Sequence, residues 1–241
     1  MNKPVEVLFL AADSSRSKTY AQVMQHSGLS VSRTLLLRKQ KAQGTNSAPF
    51  GKPTSPDVEI VLPDLKIPLV ETVEKISDKF DIVENYGGIK RSGIIEYLAT
   101  HRPKLVIYSG YGGELVPEEM LGLGIPFLHI HSGWLPEYRG STTVYYSLLN
   151  DGNCGVTAIL LKPEIDNGDI VARKKYPAPP SGVDIDHLYD NAIRADLLSE
   201  VLVGWMKNHE FEGFVEQDES ESQTYYVIHP VLKHLAILST S

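Results

Sequence analysis

The sequence has little cysteine and no long hydrophobic run. Cys154 is the only cysteine among 241 residues, so an intrachain disulfide and a cysteine-rich zinc module are both excluded. A single cysteine is typical of a reducing compartment. No stretch approaches the roughly 18 consecutive apolar residues of a membrane helix. The apolar run 5–12 is interrupted by Glu6 and lacks a signal-peptide layout. We therefore expect a soluble, cytoplasmic protein with no membrane partner.

Basic charge is also scarce. The chain has 23 Lys and Arg residues against 30 Asp and Glu residues, a net charge of −7. Binding to a phosphate backbone requires clustered basic side chains, so we expect no nucleic-acid partner. Hydrophobic residues make up 42% of the chain, which is ordinary globular composition. A chain of this length is expected to form one large domain with at most a short appendage.

Apolar segments of two lengths alternate along the chain. The run 5–11 predicts a strand buried on both faces, 16–26 predicts a helix that ends before Gly28, and 31–37 predicts a second strand. Further helices are expected at 93–101, 118–123, 142–150 and 184–208, and further strands at 104–109, 127–131, 155–161, 169–176 and 224–228. This alternation predicts an α/β fold with a Rossmann-like, doubly wound, mostly parallel sheet.

Two segments depart from the alternation. Residues 38–68 contain five prolines together with glycine, serine and threonine, which predicts a long, variable loop. Residues 209–241 follow the last long helix and contain a β-branched and aromatic run. We therefore expect a principal domain at 1–208 and a short, β-like C-terminal tail at 209–241.

Polar and glycine-rich segments follow two predicted strands. Ser-Gly-Tyr-Gly-Gly at 109–113 follows the first, and the second carries His129 and His131 before Ser-Gly. Strand side chains alternate with period two, so the two histidines should face the same way. Asp166 lies in a later acidic turn. Ligands of open parallel sheets bind at the carboxyl ends of the strands, so we expect a site here.

The segment 123–140, Leu-Gly-Ile-Pro-Phe-Leu-His-Ile-His-Ser-Gly-Trp-Leu-Pro-Glu-Tyr-Arg-Gly, resembles the core signature of the folate-dependent formyltransferases. Those proteins carry Gly-Ile-x-Asn-x-His leading into Leu-Pro-x-Tyr-Arg-Gly. The resemblance continues through Gly-Val-Thr at 155–157, through Asp-Asn-Gly-Asp-Ile-Val at 166–171, and upstream through Tyr-Gly-Gly-Glu-Leu-Val-Pro at 111–117. It covers about a third of the chain.

The resemblance implies transfer of a formyl group from N10-formyltetrahydrofolate to an amine, with 1–208 as the catalytic domain. By position, His131 and Asp166 match the family's catalytic His and Asp, and His129 stands where the family has Asn. A neutral His can move protons near pH 7, a carboxylate orients it, and a neighbouring donor stabilises a developing oxyanion. The residues expected to bind the folate are Tyr111, Gly112, Gly113, Leu115 and Val116.

The acceptor is expected to be a small-molecule amine, with an amino sugar carried on a nucleotide favoured. Family members that act on initiator tRNA have a further C-terminal domain, and those that act on glycinamide ribonucleotide have a Gly-rich loop after the first strand. Here that loop reads Ala-Ala-Asp-Ser-Ser at 11–15. Loop 38–68 and tail 209–241 are the expected acceptor-specific parts. Whether the chain is a homodimer is left open.

Two alternatives remain at this point. His129, His131 and Asp166 could bind a divalent metal and activate water, as in a metal-dependent hydrolase. The chain could instead be a non-catalytic folate-binding homologue, because His129 replaces the Asn of the resemblance. The principal expectation is a transferase with no metal.

Overall fold

A computed structural model describes residues 6–39, 60–84, 88–91 and 93–240. Seven α-helices and nine strands lie in these ranges. The helices are α1 Ser15–His26, α2 Leu69–Ile76, α3 Ile94–His101, α4 Glu118–Leu121, α5 Thr143–Asp151, α6 Asp190–Asn208 and α7 Pro230–Leu238. The strands are β1 Val7–Ala12, β2 Arg33–Arg38, β3 Phe80–Glu84, β4 Leu105–Ser109, β5 Phe127–His131, β6 Arg139–Gly140, β7 Asn153–Leu160, β8 Asp169–Pro177 and β9 Thr224–Tyr225.

Seven of the described strands form one sheet in the order β3-β2-β1-β4-β5-β7-β8. Strand β1 pairs in parallel with β2 and β4, β2 with β3, and β4 with β5. At one edge of the sheet, β7 and β8 pair antiparallel. The mostly parallel, Rossmann-like α/β fold is therefore confirmed, and β6 and β9 form a separate two-stranded sheet.

Burial explains why the central strands read as unbroken apolar runs. Every residue of β1 and of β4 is buried, as expected for parallel strands covered on both faces. Helix α1 begins after Ser14, whose side chain accepts a hydrogen bond from the Ser17 amide. This N-cap hydrogen bond satisfies a backbone donor that has no partner inside the helix.

The described residues fall into two compact units. The first consists of those within 1–49 and 64–129, and the second of those within 50–63 and 130–241. The first contains β1 to β4 and α1 to α4, and the second contains α5 to α7, β6 to β9 and the last two residues of β5. The predicted domain boundary at residue 208 stays a prediction.

Several elements were not predicted or were predicted differently. Helix α2 and strand β3 lie between the proline-rich loop and α3, where no element was expected. The tail 209–241 is not β-like throughout: its strand β9 has two residues, and α7 follows from Pro230 at the first helical position. Helix α7 was not predicted because its apolar side chains are largely exposed. Its sequence therefore lacks the pattern of an amphipathic helix with one buried apolar face.

Most of the predicted loop 38–68 lies outside the described residues, at 40–59. The described part from Ile60 to Pro68 contains no helix or strand. In the part of the chain that is described, no helix is long and apolar enough to cross a membrane.

Candidate active site

His131 ends strand β5 and is buried, with 5% of its surface exposed. Its Nε2 lies 2.7 Å from the carbonyl oxygen of Tyr138. A carbonyl only accepts hydrogen bonds, so the ring must carry a proton on Nε2. The other nitrogen, Nδ1, lies 3.4 Å from Asp166 Oδ1. Proton exchange at this ring is therefore confined to Nδ1, on the side of the carboxylate.

The backbone holds Asp166 in place. The residue has φ +52°, a left-handed conformation that Asp adopts more readily than most residues. Its Oδ2 accepts a hydrogen bond from the Gly140 amide at 3.0 Å. The side chain of Gln217 donates to the carbonyl oxygens of Asp166 and Gly168, at 2.9 and 2.7 Å. These contacts fix the direction in which the carboxylate faces His131.

Gly168 is required by the close approach of two chain segments. A Cβ atom at this position would lie 1.9 Å from the Leu160 carbonyl oxygen, and no side chain fits there. The turn after Asp166 can therefore pack directly on the end of β7. This is a structural reason for the Asp-x-Gly pattern.

The loop that follows β5 is fixed by Thr157 of β7. The Thr157 hydroxyl donates to the Gly133 carbonyl at 2.6 Å and accepts from the Leu135 amide at 3.0 Å. A Cβ on Gly133 would lie 2.5 Å from the Tyr138 carbonyl oxygen. The loop consequently closes tightly enough to bring that carbonyl to His131.

Arg194 and Asp190 of α6 hold the backbone on both sides of His131. Arg194 is 8% exposed and donates from Nε and Nη2 to the Ile130 carbonyl, at 3.0 and 2.6 Å. It also pairs with Asp190 at 3.1 Å, and Asp190 accepts a hydrogen bond from the Ser132 hydroxyl. Sequence reasoning missed this network because these residues are about 60 positions apart and share no motif.

His129 is half-buried on the same strand, two residues before His131. Its Nδ1 lies 3.5 Å from the Tyr108 carbonyl oxygen, and the Tyr108 ring is tilted at 6.2 Å. One potential ligand atom from each of His129, His131 and Asp166 lies within 4.8 Å of the others. The two histidines therefore face the same way, as predicted, and within the described part of the chain these three residues form a group that could hold a metal ion.

In the first unit, the loop after β4 contains the residues predicted to bind folate. The Tyr111 hydroxyl donates to the Leu37 carbonyl at 2.9 Å and accepts from the Lys39 amide at 3.2 Å, so this side chain braces the loop. Gly112 and Gly113 have open space where a Cβ would be, and Leu115 is 61% exposed. The loop therefore presents accessible backbone at two glycines and an exposed leucine, and binding of folate by these residues stays a prediction.

The same loop is anchored by groups that sequence reasoning did not identify. Arg16, in the first turn of α1, donates from Nε to Ser109 Oγ at 3.2 Å and from Nη2 to the Gly110 carbonyl. The Ser17 and Ser109 hydroxyls are 2.8 Å apart. Residues at the start of the predicted helix, Arg16 and Ser17, therefore also hold the end of β4.

Arg139 has a structural role, because its side chain joins the loop after β5 to Asn167 and Gln217. Its Nη2 donates to Asn167 Oδ1 at 2.9 Å and to Gln217 Oε1 at 3.2 Å. Nearby, burial raises the pKa of the Tyr138 hydroxyl to about 12, with a contribution from Asp151. This phenol is therefore protonated at neutral pH and cannot serve as a base there.

Comparison with known proteins agrees with this geometry. The sequence profile described as "Formyl transferase" matches residues 14–201. Among curated relatives, a methionyl-tRNA formyltransferase of a Nitratiruptor species is 38% identical over 85 residues, covering 35% of this chain and 28% of its own length. A second methionyl-tRNA formyltransferase, from Finegoldia magna, is 29% identical over 140 residues, covering 56% and 44%. The chain spans less than half the length of these relatives.

Solved structures show the same fold over almost the whole chain. A 4-N formyltransferase from Francisella tularensis has a TM-score of 0.60 at 15% identity and covers 98% of this chain and 87% of its own. A glycinamide ribonucleotide transformylase from Symbiobacterium toebii has a TM-score of 0.59 at 16% identity, covering 90% and 96%. With the profile matching more than three quarters of its residues, this chain belongs to the formyl transferase family.

Proposed function

We propose that this protein transfers a formyl group from N10-formyltetrahydrofolate to the amine of a small molecule. The observation that carries the proposal is the pair formed by His131, which is buried at the end of parallel strand β5, and the partly buried Asp166, in a chain of the formyl transferase family. Formylation of an amine forms one C–N bond, breaks another, and moves one proton from the attacking nitrogen to the leaving nitrogen. The pair supplies a route for that proton.

The hydrogen bonds of His131 decide which atoms move the proton. Nε2–H is engaged with the Tyr138 carbonyl, so Nδ1 accepts the proton that the amine loses. Asp166 then stabilises the charged ring across 3.4 Å, and the Gly140 amide orients that carboxylate by bonding to its other oxygen. Held in this way, His131 acts as general base and then as general acid.

His129 would take the part that Asn has in the resemblance. A ring N–H pointing at the formyl oxygen stabilises the negative charge that develops there during attack, which is often the largest single contribution to the rate. His129 and His131 share one strand, so two charged rings would repel each other. His129 therefore donates as a neutral imidazole while His131 carries the proton.

The donor supplies an activated formyl group when bound. In the first unit, Gly112 and Gly113 would let its flat ring approach the backbone, with Leu115 and Val116 as apolar contacts. Tyr111 would act indirectly, because its hydroxyl already bonds to the backbone of β2 and the residue after it. This assignment is supported by the exposed Leu115 and by the open space at the two glycines.

For the acceptor we favour an amino sugar linked to a nucleotide. The support is a likeness of fold to sugar N-formyltransferases, such as the one from Shewanella sp FDAARGOS_354, at a TM-score of 0.57 and 14% identity. The net charge of −7 does not favour a polyanionic acceptor. Methionyl-tRNA is the second candidate, because the curated relatives are methionyl-tRNA formyltransferases.

A discontinuous assay with a panel of amines tests the proposal. The protein is incubated with N10-formyltetrahydrofolate and nucleotide-linked amino sugars, glycinamide ribonucleotide or charged initiator tRNA, and formylated products are detected by mass spectrometry. We expect turnover with an amino sugar, and a loss of about a hundredfold or more in His131→Ala. Folate binding should be nearly unchanged in that variant.

The control is His26→Ala, an exposed histidine at the end of α1. Equal turnover in His131→Ala and in the control would remove His131 from the mechanism. Turnover with aminoacylated initiator tRNA and with no other amine would show that methionyl-tRNA, and not an amino sugar, is the acceptor.

A further inference from the structure

Two basic side chains of β8 lie against the ring of Trp134, in the loop after His131. The Arg173 guanidinium carbon lies 4.6 Å from the centre of the indole ring, and Lys175 Nζ lies 5.0 Å from it. Arg173 also donates from Nη1 to the Leu135 carbonyl at 2.8 Å. We call these three residues, Trp134, Arg173 and Lys175, the cationic cluster. The loop that carries Trp134 is thereby held against the strand.

Gly155 of β7 makes this arrangement possible. It pairs with Lys175 across the β7–β8 ladder, and a Cβ there would lie 2.7 Å from Trp134 Cβ and 2.8 Å from its amide nitrogen. Any side chain at this position would push Trp134 off the sheet. The glycine of the Gly-Val-Thr segment therefore allows Trp134 to pack directly on β7.

The two cations differ from Lys174, which lies between them in sequence. Lys174 pairs with Asp196 at 2.6 Å and with Glu200, both on α6. Strand side chains alternate, so Arg173 and Lys175 project from the opposite face of β8. In the described ranges, neither forms an ion pair with a carboxylate. A chain with a net charge of −7 thus keeps two uncompensated positive charges together over one aromatic ring.

We propose that the cationic cluster binds the diphosphate of a nucleotide-linked acceptor. The choice of acceptor class rests on the proposed function, whereas the cluster itself does not. A guanidinium donates two parallel hydrogen bonds to a phosphate and an ammonium adds a point charge. Trp134 follows His131 by three residues, so their Cα atoms lie within about 11 Å. A sugar ring joined to a diphosphate spans a distance of that order.

The size of the cluster favours a diphosphate over a nucleic acid. A protein that binds a nucleic-acid backbone typically makes about 6 to 10 phosphate contacts, and this cluster has two cations. One diphosphate carries two phosphate groups, which matches one guanidinium and one ammonium. We therefore assign the cluster to a small phosphorylated acceptor, and binding of RNA is one of the outcomes that the test can give.

The two tryptophans of the chain allow a direct binding measurement. Trp205 is buried in α6 at 3% exposure, and Trp205→Phe leaves Trp134 as the single tryptophan. Uridine diphosphate, inorganic pyrophosphate and aminoacylated initiator tRNA are titrated separately into this variant while indole fluorescence is followed, without any formyl donor. Lys175→Ala and Arg173→Ala are then added separately, with Lys207→Ala, an exposed lysine of α6, as the matched control. Calorimetric titration of the same substitutions with both tryptophans present gives the comparison independently of Trp205→Phe.

We expect a saturable change with a Kd below about 1 mM that weakens at high salt. Lys175→Ala and Arg173→Ala should each weaken it about tenfold or more, and Lys207→Ala should not. Among the residues that the structure describes, the Lys175 side chain makes no hydrogen bond to the backbone, so its substitution should leave the loop in place even where Arg173→Ala disturbs it.

Equal affinity in Lys175→Ala and in the control would overturn the proposal, as would binding of charged tRNA without binding of either diphosphate. Because no folate is present, diphosphate binding without formyl transfer would contradict the proposed function alone. Formyl transfer without diphosphate binding would contradict only the proposal that the cationic cluster binds a diphosphate.

Discussion

At the scale of single residues, His131 and Asp166 are oriented mainly by the backbone. The Tyr138 carbonyl and the Gly140 amide belong to one loop and hold both side chains. The sequence predicts these two residues because they match, by position, the His and Asp of the formyltransferase motifs. It does not predict Arg194 or Gln217, which reach the site from α6 and from the tail. Such contacts depend on tertiary packing, and no local pattern carries them.

His129 is the residue whose role is most open to a direct test. If its ring N–H donates to the formyl oxygen, His129→Asn keeps a donor and should stay within about tenfold of the original turnover. His129→Ala removes the donor and should lose about a hundredfold or more. Steady-state turnover, with the acceptor that the panel assay finds, measures both.

His101→Asn, on the exposed end of α3, is the control for this pair of substitutions. A clear gain of turnover in His129→Asn would instead indicate a degraded site, in favour of the non-catalytic homologue. Unchanged turnover in His129→Ala would show that His129 does not take part in the reaction.

At the scale of elements, α7 is the part of the tail that the sequence predicts least well. It is attached by a few polar contacts: Lys233 pairs with Asp186 and lies 4.8 Å from the ring of Tyr145, and Tyr145 donates to Asp186 at 2.6 Å. Meanwhile Leu235 is 49% and Leu238 53% exposed. Helix α2, by contrast, buries a clear apolar face and was missed because the preceding prolines suggested a longer loop.

The attachment of α7 should depend on pH. Burial disfavours the charged form of Asp186, but hydrogen bonds from Lys233 and Tyr145 outweigh it and lower its pKa. A lowered carboxylate pKa stabilises the folded state above the unfolded pKa of about 3.9, and that contribution is lost as the pH falls through the lower folded value. The pair is partly exposed, so its contribution is below about 1 kcal/mol.

Hydrogen exchange of residues 230–238, corrected for intrinsic rates, measures this effect. Exchange of α7 should rise by up to about fivefold as the pH falls below about 4, and Asp186→Asn should show the faster exchange already at pH 7. Asp218→Asn, an exposed carboxylate that accepts hydrogen bonds from Ser220, should leave α7 unchanged. Identical exchange in Asp186→Asn and in the unsubstituted protein at pH 7 would contradict the assignment.

At the scale of the whole molecule, the alternation of apolar segments was sufficient to predict the parallel sheet. Strands β1, β4 and β5 lie where the sequence places them, because strands that are largely buried are rich in apolar residues. The boundaries of short elements such as β6 and β9 were not predictable, since two-residue strands depend on pairing between residues 85 positions apart. The acceptor was least predictable, because it depends on side chains brought together by the fold.

We propose that His129, His131 and Asp166 serve formyl transfer rather than metal-dependent hydrolysis. The most direct measurement is calorimetric titration of the purified protein with a stable analogue of N10-formyltetrahydrofolate, with a metal assay on the same sample. We predict micromolar binding of the analogue without stoichiometric metal. Absence of binding, together with one equivalent of zinc or iron at the three ligand residues, would contradict this proposal.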